Sequence, residues 1–331
     1  MSEPAKKIVL SGLRPTGRVH LGNYWGAVKN WVDLQEQYAC RYFVADLHAL
    51  TTDYADTSAI RESTLEAVTD WLSVGLDPEK SVIFVQSQVP QTAELALIFG
   101  MITPLGWLER VPTYKEQLQE LREKDLGTFG FLGYPVLMTA DIALYRGHCV
   151  PVGKDQESHL EICREIVRRF NGMYGEVFPE PQALFTATPK VPGLDGRKMS
   201  KSYGNTIALS DSAEEIRVKV MSMVTDPKRA RRSDPGDPET CNLFPFHLLY
   251  SPKEEVAQVD VECRAATRGC VDCKKHLIRN MNAALEPVRA KRAEITARPG
   301  YVREVLEEGG EKARAFAAET MKRVADAMKL L

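Results

Sequence analysis

The first forty residues restrict the fold more than any other stretch. Lys7–Leu10 (KIVL) is a short apolar run with branched side chains, as in a buried strand. The loop Ser11–Arg18 follows, punctuated by Gly12, Pro15 and Gly17, and helical spacing then runs from about Leu21 to Gln37. The same order recurs. Tyr42–Ala45 reads as a strand ending at Asp46-Leu47-His48, and Glu62–Val74 as a helix. Ser81–Gln86 reads as a third strand, and segment 92–125 as helical with breaks near Pro104 and Pro112. Tyr134–Asp141 leads into a fourth strand, Cys149–Val152, with a helix over 156–170. Strands alternating with helices predict an α/β fold, a Rossmann-like doubly wound parallel sheet. Such sheets bind ligands beyond the carboxyl ends of their strands.

After about Asn205 the strand signal stops. Ser212–Val224, the segment from Asp260 onward and a last helix over Glu311–Leu331 read as helical. The last helix has Ala313, Phe316, Ala317, Met321, Val324 and Met328 at every third or fourth position. The expected organisation is a sheet-bearing unit over 1–205 and a mainly α-helical unit over 206–331. The 331 residues carry a formal net charge of −2 and are 44% hydrophobic and 27% charged, ordinary for a globular protein, so a nucleic-acid surface would have to be a local patch. No apolar run approaches the roughly 18 residues of a membrane helix, and the apolar run near the N-terminus is too short for a signal peptide. The expectation is therefore a cytoplasmic protein without membrane attachment, whose seven cysteines stay reduced.

Three motifs carry chemistry. Thr16-Gly17-Arg18-Val19-His20-Leu21-Gly22-Asn23 follows the first strand and opens a helix. A helix N-terminus offers free N–H groups and positive potential to a phosphate, and Gly22 permits close approach. Lys198-Met199-Ser200-Lys201-Ser202 follows Gly193-Leu194-Asp195-Gly196-Arg197 and puts two lysines three apart on a glycine-flanked loop able to close on a polyphosphate. Val152-Gly153-Lys154-Asp155-Gln156 stands at a strand end, where an Asp and an amide can hold ribose hydroxyls or an amine. Each motif alone is equally at home in an ordinary turn, loop or helix start.

Taken in order, HLGN, GKDQ and KMSKS resemble the class I aminoacyl-tRNA synthetases, with HLGN where that class has HIGH. Asn23 departs from the last histidine of HIGH. That departure is similar to the tryptophanyl branch, as are Gly17–Ala27 (GRVHLGNYWGA), Val44–Thr51 (VADLHALT), Leu137–Ile142 (LMTADI) and Glu307–Arg314 (EEGGEKAR). The resemblance spans essentially the whole chain. It implies that tryptophan and ATP react to an adenylate and pyrophosphate, followed by transfer to tRNA(Trp), in a homodimer. His20, Asn23, Lys198, Ser200 and Lys201 are the expected catalytic set. Arg14, Pro15, Thr16, Gly22, Asn23, Lys115, Gly153, Lys154, Asp155, Val191 and the KMSKS residues, Met199 and Ser202 included, are expected at ATP, with Mg²⁺. Asp141 is expected to accept the indole N–H, with His48, Tyr134 and Met138 walling the pocket and Gln156 near the ammonium. A tyrosyl-tRNA synthetase and a non-aminoacylating paralogue that senses tryptophan or tRNA remain alternatives.

Cys241, Cys263, Cys270 and Cys273 fall within 33 residues in a C-x21-C-x6-C-x2-C pattern. Four thiolates are suited to a [4Fe–4S] cluster or a structural zinc, and only one C-x2-C pair is present where zinc ribbons show two. The pattern resembles a subset of tryptophanyl-tRNA synthetases with a [4Fe–4S] cluster in the helical part, which makes the cluster the expectation and Zn²⁺ or free thiols the alternatives. Arg264, Arg268, Lys274, Lys275 and Arg279 interleave with these cysteines and form a candidate RNA-facing segment.

Overall fold

The computed structural model describes residues 6–111, 114, 126–153, 157–185, 189 and 191–331. Among them, five strands form one sheet: β1 (Ile8–Leu13), β2 (Ala39–Val44), β3 (Ser81–Val85), β4 (Cys149–Val152) and β5 (Gln182–Phe185), in the order β3-β2-β1-β4-β5. All pairings are parallel, with Ile8 opposite Ala39, Cys40 opposite Ser81, Val9 opposite Cys149 and Cys149 opposite Gln182. Chain order runs outward from β1 on one side and resumes at β4 on the other. The switch point therefore lies between the carboxyl ends of β1 and β4, which is where a ligand crevice forms.

Helices pack on the sheet because each buries one face. They are α1 (Lys29–Leu34), α2 (Asp46–Asp53), α3 (Ile60–Ser73), α4 (Gln91–Ile102), α5 (Tyr134–Leu144) and α6 (Glu157–Tyr174). Trp31 and Trp71 meet edge to face, and Trp31 stacks on Tyr42, all three fully buried. The stretch expected as one helix from Leu21 is helical to Leu34, but Tyr24–Val28 is a π-helical turn inside it, a local widening that often marks a functional segment.

Beyond 205 the chain is helical: α7 (Ala213–Ser222), α8 (Phe244–Tyr250), α9 (Lys253–Arg264), α10 (Cys270–Thr296) and α11 (Tyr301–Met328). Ser212 opens α7 with a capping box, its hydroxyl taking the Glu215 N–H and Glu215 returning the bond. The core does not stop at 205. Val9, Trp31 and Trp71 share one buried cluster with Ile216, Phe246, Leu277 and Met281.

The structure differs from the sequence reading at several elements. Gln182–Phe185 is an edge strand, with its ends exposed and its middle half-buried, so it lacks the apolar run that betrays a buried strand. Tyr134–Asp141, given no state in the sequence reading, is helical, in α5. The last helix begins at Tyr301 rather than Glu311, and β1 runs to Leu13. Part of the expected 92–125 helical segment lies outside the described residues.

α11 crosses β3 so closely that Gly309 rests on the Ile83 carbonyl; a Cβ there would overlap that oxygen. Gly309→Ala is expected to lower stability by about 2 kcal/mol or more, because backbone and not a movable side chain is in the way. Gly172→Ala, in α6 with open space around it, is expected to raise stability by about 0.5 kcal/mol. Urea unfolding of both variants checks the pair.

Candidate active site

The turn after β1 is tied down before it reaches His20. The Val19 N–H donates to the Asp70 carboxylate at 2.6 Å. His20 then forms a bridge with Ala208, and the Leu21 N–H donates to the Ile207 carbonyl at 2.8 Å. These bonds place HLGN against the segment just after KMSKS, almost 190 residues further along the chain. His20 caps the short helix it opens: its Nδ1 accepts the Asn23 N–H at 3.2 Å. An imidazole that accepts at Nδ1 carries its proton on Nε2, leaving one N–H free to donate. Burial, followed by the nearby Lys201 and Lys198 ammonium groups, pushes the His20 pKa down to about 4. His20 is thus a neutral donor at neutral pH.

The KMSKS loop is organised by Asn205, which is buried. Its Oδ1 accepts the Ser200 N–H at 2.9 Å, and its Nδ2 donates to Asp195 at 2.7 Å and to the Lys198 carbonyl at 3.1 Å. Met199 is buried, with its sulfur 3.4 Å from the Gly22 nitrogen. Lys198, Lys201 and Ser202 are exposed. Lys201 reaches the Thr16 carbonyl, and burial lowers its pKa. The loop therefore lies over the HLGN turn with both lysines beside His20.

A second group stands beside it. Asp141, on α5, is buried and triply held: His48 Nε2 lies 2.9 Å from Oδ2, and Gln86 Nε2 donates to both oxygens at 2.8 and 2.9 Å. Burial pushes the Asp141 pKa up, and the His48 and Gln86 bonds pull against that rise. His48 Nδ1 is buried with no hydrogen-bond partner among the described residues, and the His48 ring packs on Tyr134 at 4.6 Å between centroids. Arg14 joins the two groups. It bonds Thr52 and forms a 2.6 Å ion pair with Asp53, and with Tyr134, Pro135 and His159 it lines a cavity of about 250 Å³. Pro15 is buried behind it; Met138, Gly153 and Val191 are half-buried. Lys115, Lys154, Asp155 and Gln156 lie outside the described residues.

Sequence reasoning missed Gln86, Asp70 and Asn205. Gln86 had a usable signal, because it directly follows β3 at the carboxyl end of the sheet. Asp70 had none, since its partners Val19 and Arg292 are brought to it only by tertiary packing.

The four cysteines do come together. Cys241, Cys263, Cys270 and Cys273 line one pocket of about 20 Å³ with Arg229 and Arg268, room for about one water molecule. All four are free thiols. Burial, and then its cysteine neighbours, push Cys273 up to about 12, and burial raises Cys241 and Cys263. Among the described residues, no group of three or more His, Cys, Asp or Glu side chains is arranged to hold a single metal ion.

Comparison with known proteins agrees with this geometry. Residues 3–286 match the family of class I tRNA synthetases (W and Y). The chain is 54% identical over 325 residues to a tryptophan–tRNA ligase from Thermotoga maritima, covering 98% of this chain and 99% of that one. It is 44% identical over 392 residues to a tryptophan–tRNA ligase from Aquifex aeolicus, covering 97% and 99%. The solved structure of tryptophanyl-tRNA synthetase from Campylobacter jejuni, complexed with ADP and tryptophan, superposes with a TM-score of 0.87 at 37% identity over 98% of this chain and 100% of that one. This chain belongs to the class I tRNA synthetases of the tryptophan and tyrosine group.

The lowered pKa of His20 gives a signed expectation. The folded state disfavours the imidazolium while the unfolded state binds a proton near 6.5, so this contribution to stability is complete above about 6.5 and is lost as pH falls toward 4. Replacing His20 by Gln is expected to flatten that part of the stability–pH curve; denaturant titrations at pH 7 and pH 5 on both proteins measure it.

Proposed function

We infer that the protein activates tryptophan with ATP and transfers it to tRNA(Trp), acting as a tryptophan–tRNA ligase. The observation that carries this reading is the near full-length similarity to such ligases, joined to a buried carboxylate at the heart of the site. The substrate carboxylate is itself the nucleophile: its oxygen bonds to the α-phosphorus of ATP, the α–β bridging bond breaks, and pyrophosphate leaves with the electron pair. No protein nucleophile is required, so positioning and charge stabilisation supply the acceleration. Lys198 and Lys201 neutralise charge on the departing pyrophosphate, and Mg²⁺ accompanying ATP adds to that. His20, as a neutral Nε2–H donor, and the helix start at Gly22-Asn23 hold phosphate oxygens. Ser200 and Ser202, 2.8 Å apart at their hydroxyls, add short-range donors, and Arg14, Pro15 and Thr16 border the path. Gly153, Lys154, Asp155, Val191 and Lys115 complete the ATP side of the reading.

Asp141 reads the indole N–H. His48 and Gln86 leave the carboxylate one of its roughly four acceptor positions. A side chain without a matching donor would leave that position unpaired in a buried site, which costs binding. Tyr134 and Met138 form the pocket walls and Gln156 receives the ammonium. A site that took tyrosine would instead have to satisfy a phenol.

The helical part, 206–331, is the tRNA anticodon-binding unit in this reading, supported by exposed Arg264, Lys275 and Arg279; Arg268 and Lys274 of the expected basic segment turn inward instead, to Glu262 and His276 and to the Met221 and Met223 carbonyls. The homodimer is supported by exposed Leu97, Met101 and Phe129 around an apolar groove of about 600 Å³. The four-thiol pocket is a metal centre, a [4Fe–4S] cluster in preference to zinc. What supports the cluster is the all-thiol donor set, whose crowded thiols give up protons readily only to a bound cation. Seating a cluster requires the four side chains to turn outward from the small space they now enclose.

In tryptophan-dependent pyrophosphate exchange, Asp141→Asn is expected to raise the KM for tryptophan on the order of 10–100-fold, with little change for ATP. An unchanged tryptophan KM, or exchange supported equally by tyrosine, sinks the assignment. Cys270→Ser in anaerobically purified protein is expected to lower bound iron and bleach the visible absorption; unchanged metal content would remove the cluster from the reading.

A further inference from the structure

Asn242 immediately follows Cys241, yet its side chain points toward the KMSKS loop. It is buried, and its Nδ2 donates to the Gly193 carbonyl at 2.9 Å and to the Leu194 carbonyl at 3.3 Å. Gly193 and Leu194 are the root of the loop. The Gly193 N–H donates to the Arg197 carbonyl at 2.7 Å, Leu194 N–H to the Asn205 carbonyl at 2.9 Å, and Val224 N–H to the Leu194 carbonyl at 3.1 Å. Gly193 is required there, since a Cβ would overlap the Asn205 side chain. Asn205 therefore organises the loop from within, and Asn242 fastens its root from outside, from the helical part of the chain. The Lys198 and Lys201 side chains themselves lie exposed at the loop's tip.

A second path runs parallel to this one. His247 Nε2 lies 3.2 Å from Cys273 Sγ, and on the same helix, α8, the Tyr250 hydroxyl accepts the Trp25 indole N–H at 2.9 Å. Trp25 sits in the π-helical turn directly after HLGN. Both halves of the phosphate site are thus tied to the cysteine-bearing segment, one through Asn242 beside Cys241 and the other through Tyr250 on the helix whose His247 meets Cys273.

We propose that Asn242 is a positioning residue for the adenylation step: it fixes the root of the KMSKS loop so that Lys198 and Lys201 swing from a defined pivot. Cys241 lines the four-thiol pocket, so whatever holds that thiol also holds the tether. This rests on the reading of KMSKS as the pyrophosphate clamp. Without the amide, Gly193 and Leu194 lose their shared donor, the free loop samples more positions, and ordering it falls on the transition state. Substrate binding in the Asp141 pocket is untouched.

The test uses the full-length protein and two variants, Asn242→Ala and the equal-sized Asn242→Asp, which swaps the donor for an acceptor facing two carbonyls. Trypsin cleavage after Arg197, Lys198 or Lys201 is expected to speed several-fold in both variants, with cleavage elsewhere unchanged. In pyrophosphate exchange, kcat is expected to fall on the order of tenfold, and the tryptophan KM to stay within about twofold. Wild-type cleavage and wild-type kcat in Asn242→Asp would overturn the proposal. So would a rise in cleavage spread evenly over the chain with a lowered Tm, because that marks general destabilisation. The proteolysis needs no substrate, so it judges the tether even if the wild-type protein fails to use tryptophan, an outcome that would fall on the assigned reaction instead.

Discussion

A single buried carboxylate holds the two halves of the chain in register. Asp70, on α3, is fully buried; it accepts the Val19 N–H and pairs with Arg292 of α10, whose other guanidinium nitrogen meets Glu66 at 2.6 Å. Burial pushes its pKa up to about 6, and Arg292 and the Val19 N–H oppose the rise. A carboxylate is tolerated there only because a cation and a backbone donor compensate its lost hydration. The bond from Val19 orients the next residue, His20. Arg292 brings in α10, which carries Cys270 and Cys273 at its start. The His20 turn, the helical half and the cysteine segment share this one point.

Around it the site is assembled by backbone pairing more than by side chains. The short bridge between His20 and Ala208, with the Leu21 and Leu209 N–H bonds flanking it, lays the segment after KMSKS beside HLGN. The lysines are thereby brought beside His20. Burial, helped by the lysines' positive potential, keeps His20 neutral, which makes it a donor with a fixed tautomer and not a proton carrier. The Asp141 pocket, proposed to take tryptophan, is built differently, from a carboxylate pinned by His48 and Gln86 whose acceptor geometry is fixed in advance.

Much of this was legible from residue order. KIVL, YFVA, SVIFVQ and CVPV announced four parallel strands because buried strands need uninterrupted apolar runs. HLGN, KMSKS and the cysteine group stood out because their compositions are unusual for turns and loops. The fifth strand was hidden, since an edge strand half in solvent carries no such run. The helical state of Tyr134–Asp141 was hidden too: a short apolar stretch reads equally as strand or helix until its packing is known. Asn205 and Asn242 are common amides, and nothing in their local sequence separates them from surface residues.

The sequence alone determined the class of fold, the order of the nucleotide-binding motifs and the residues able to carry the chemistry, because these follow from local pattern and side-chain type. Tertiary structure decided which of those residues meet. It set the neutral state of His20 through burial and neighbours about 180 residues away, the triple hold on Asp141 from α2 and the turn after β3, and the tie between Cys241's neighbour and the lysine loop. Those depend on desolvation and on distances between segments far apart in the chain, and neither quantity is written in a stretch of sequence.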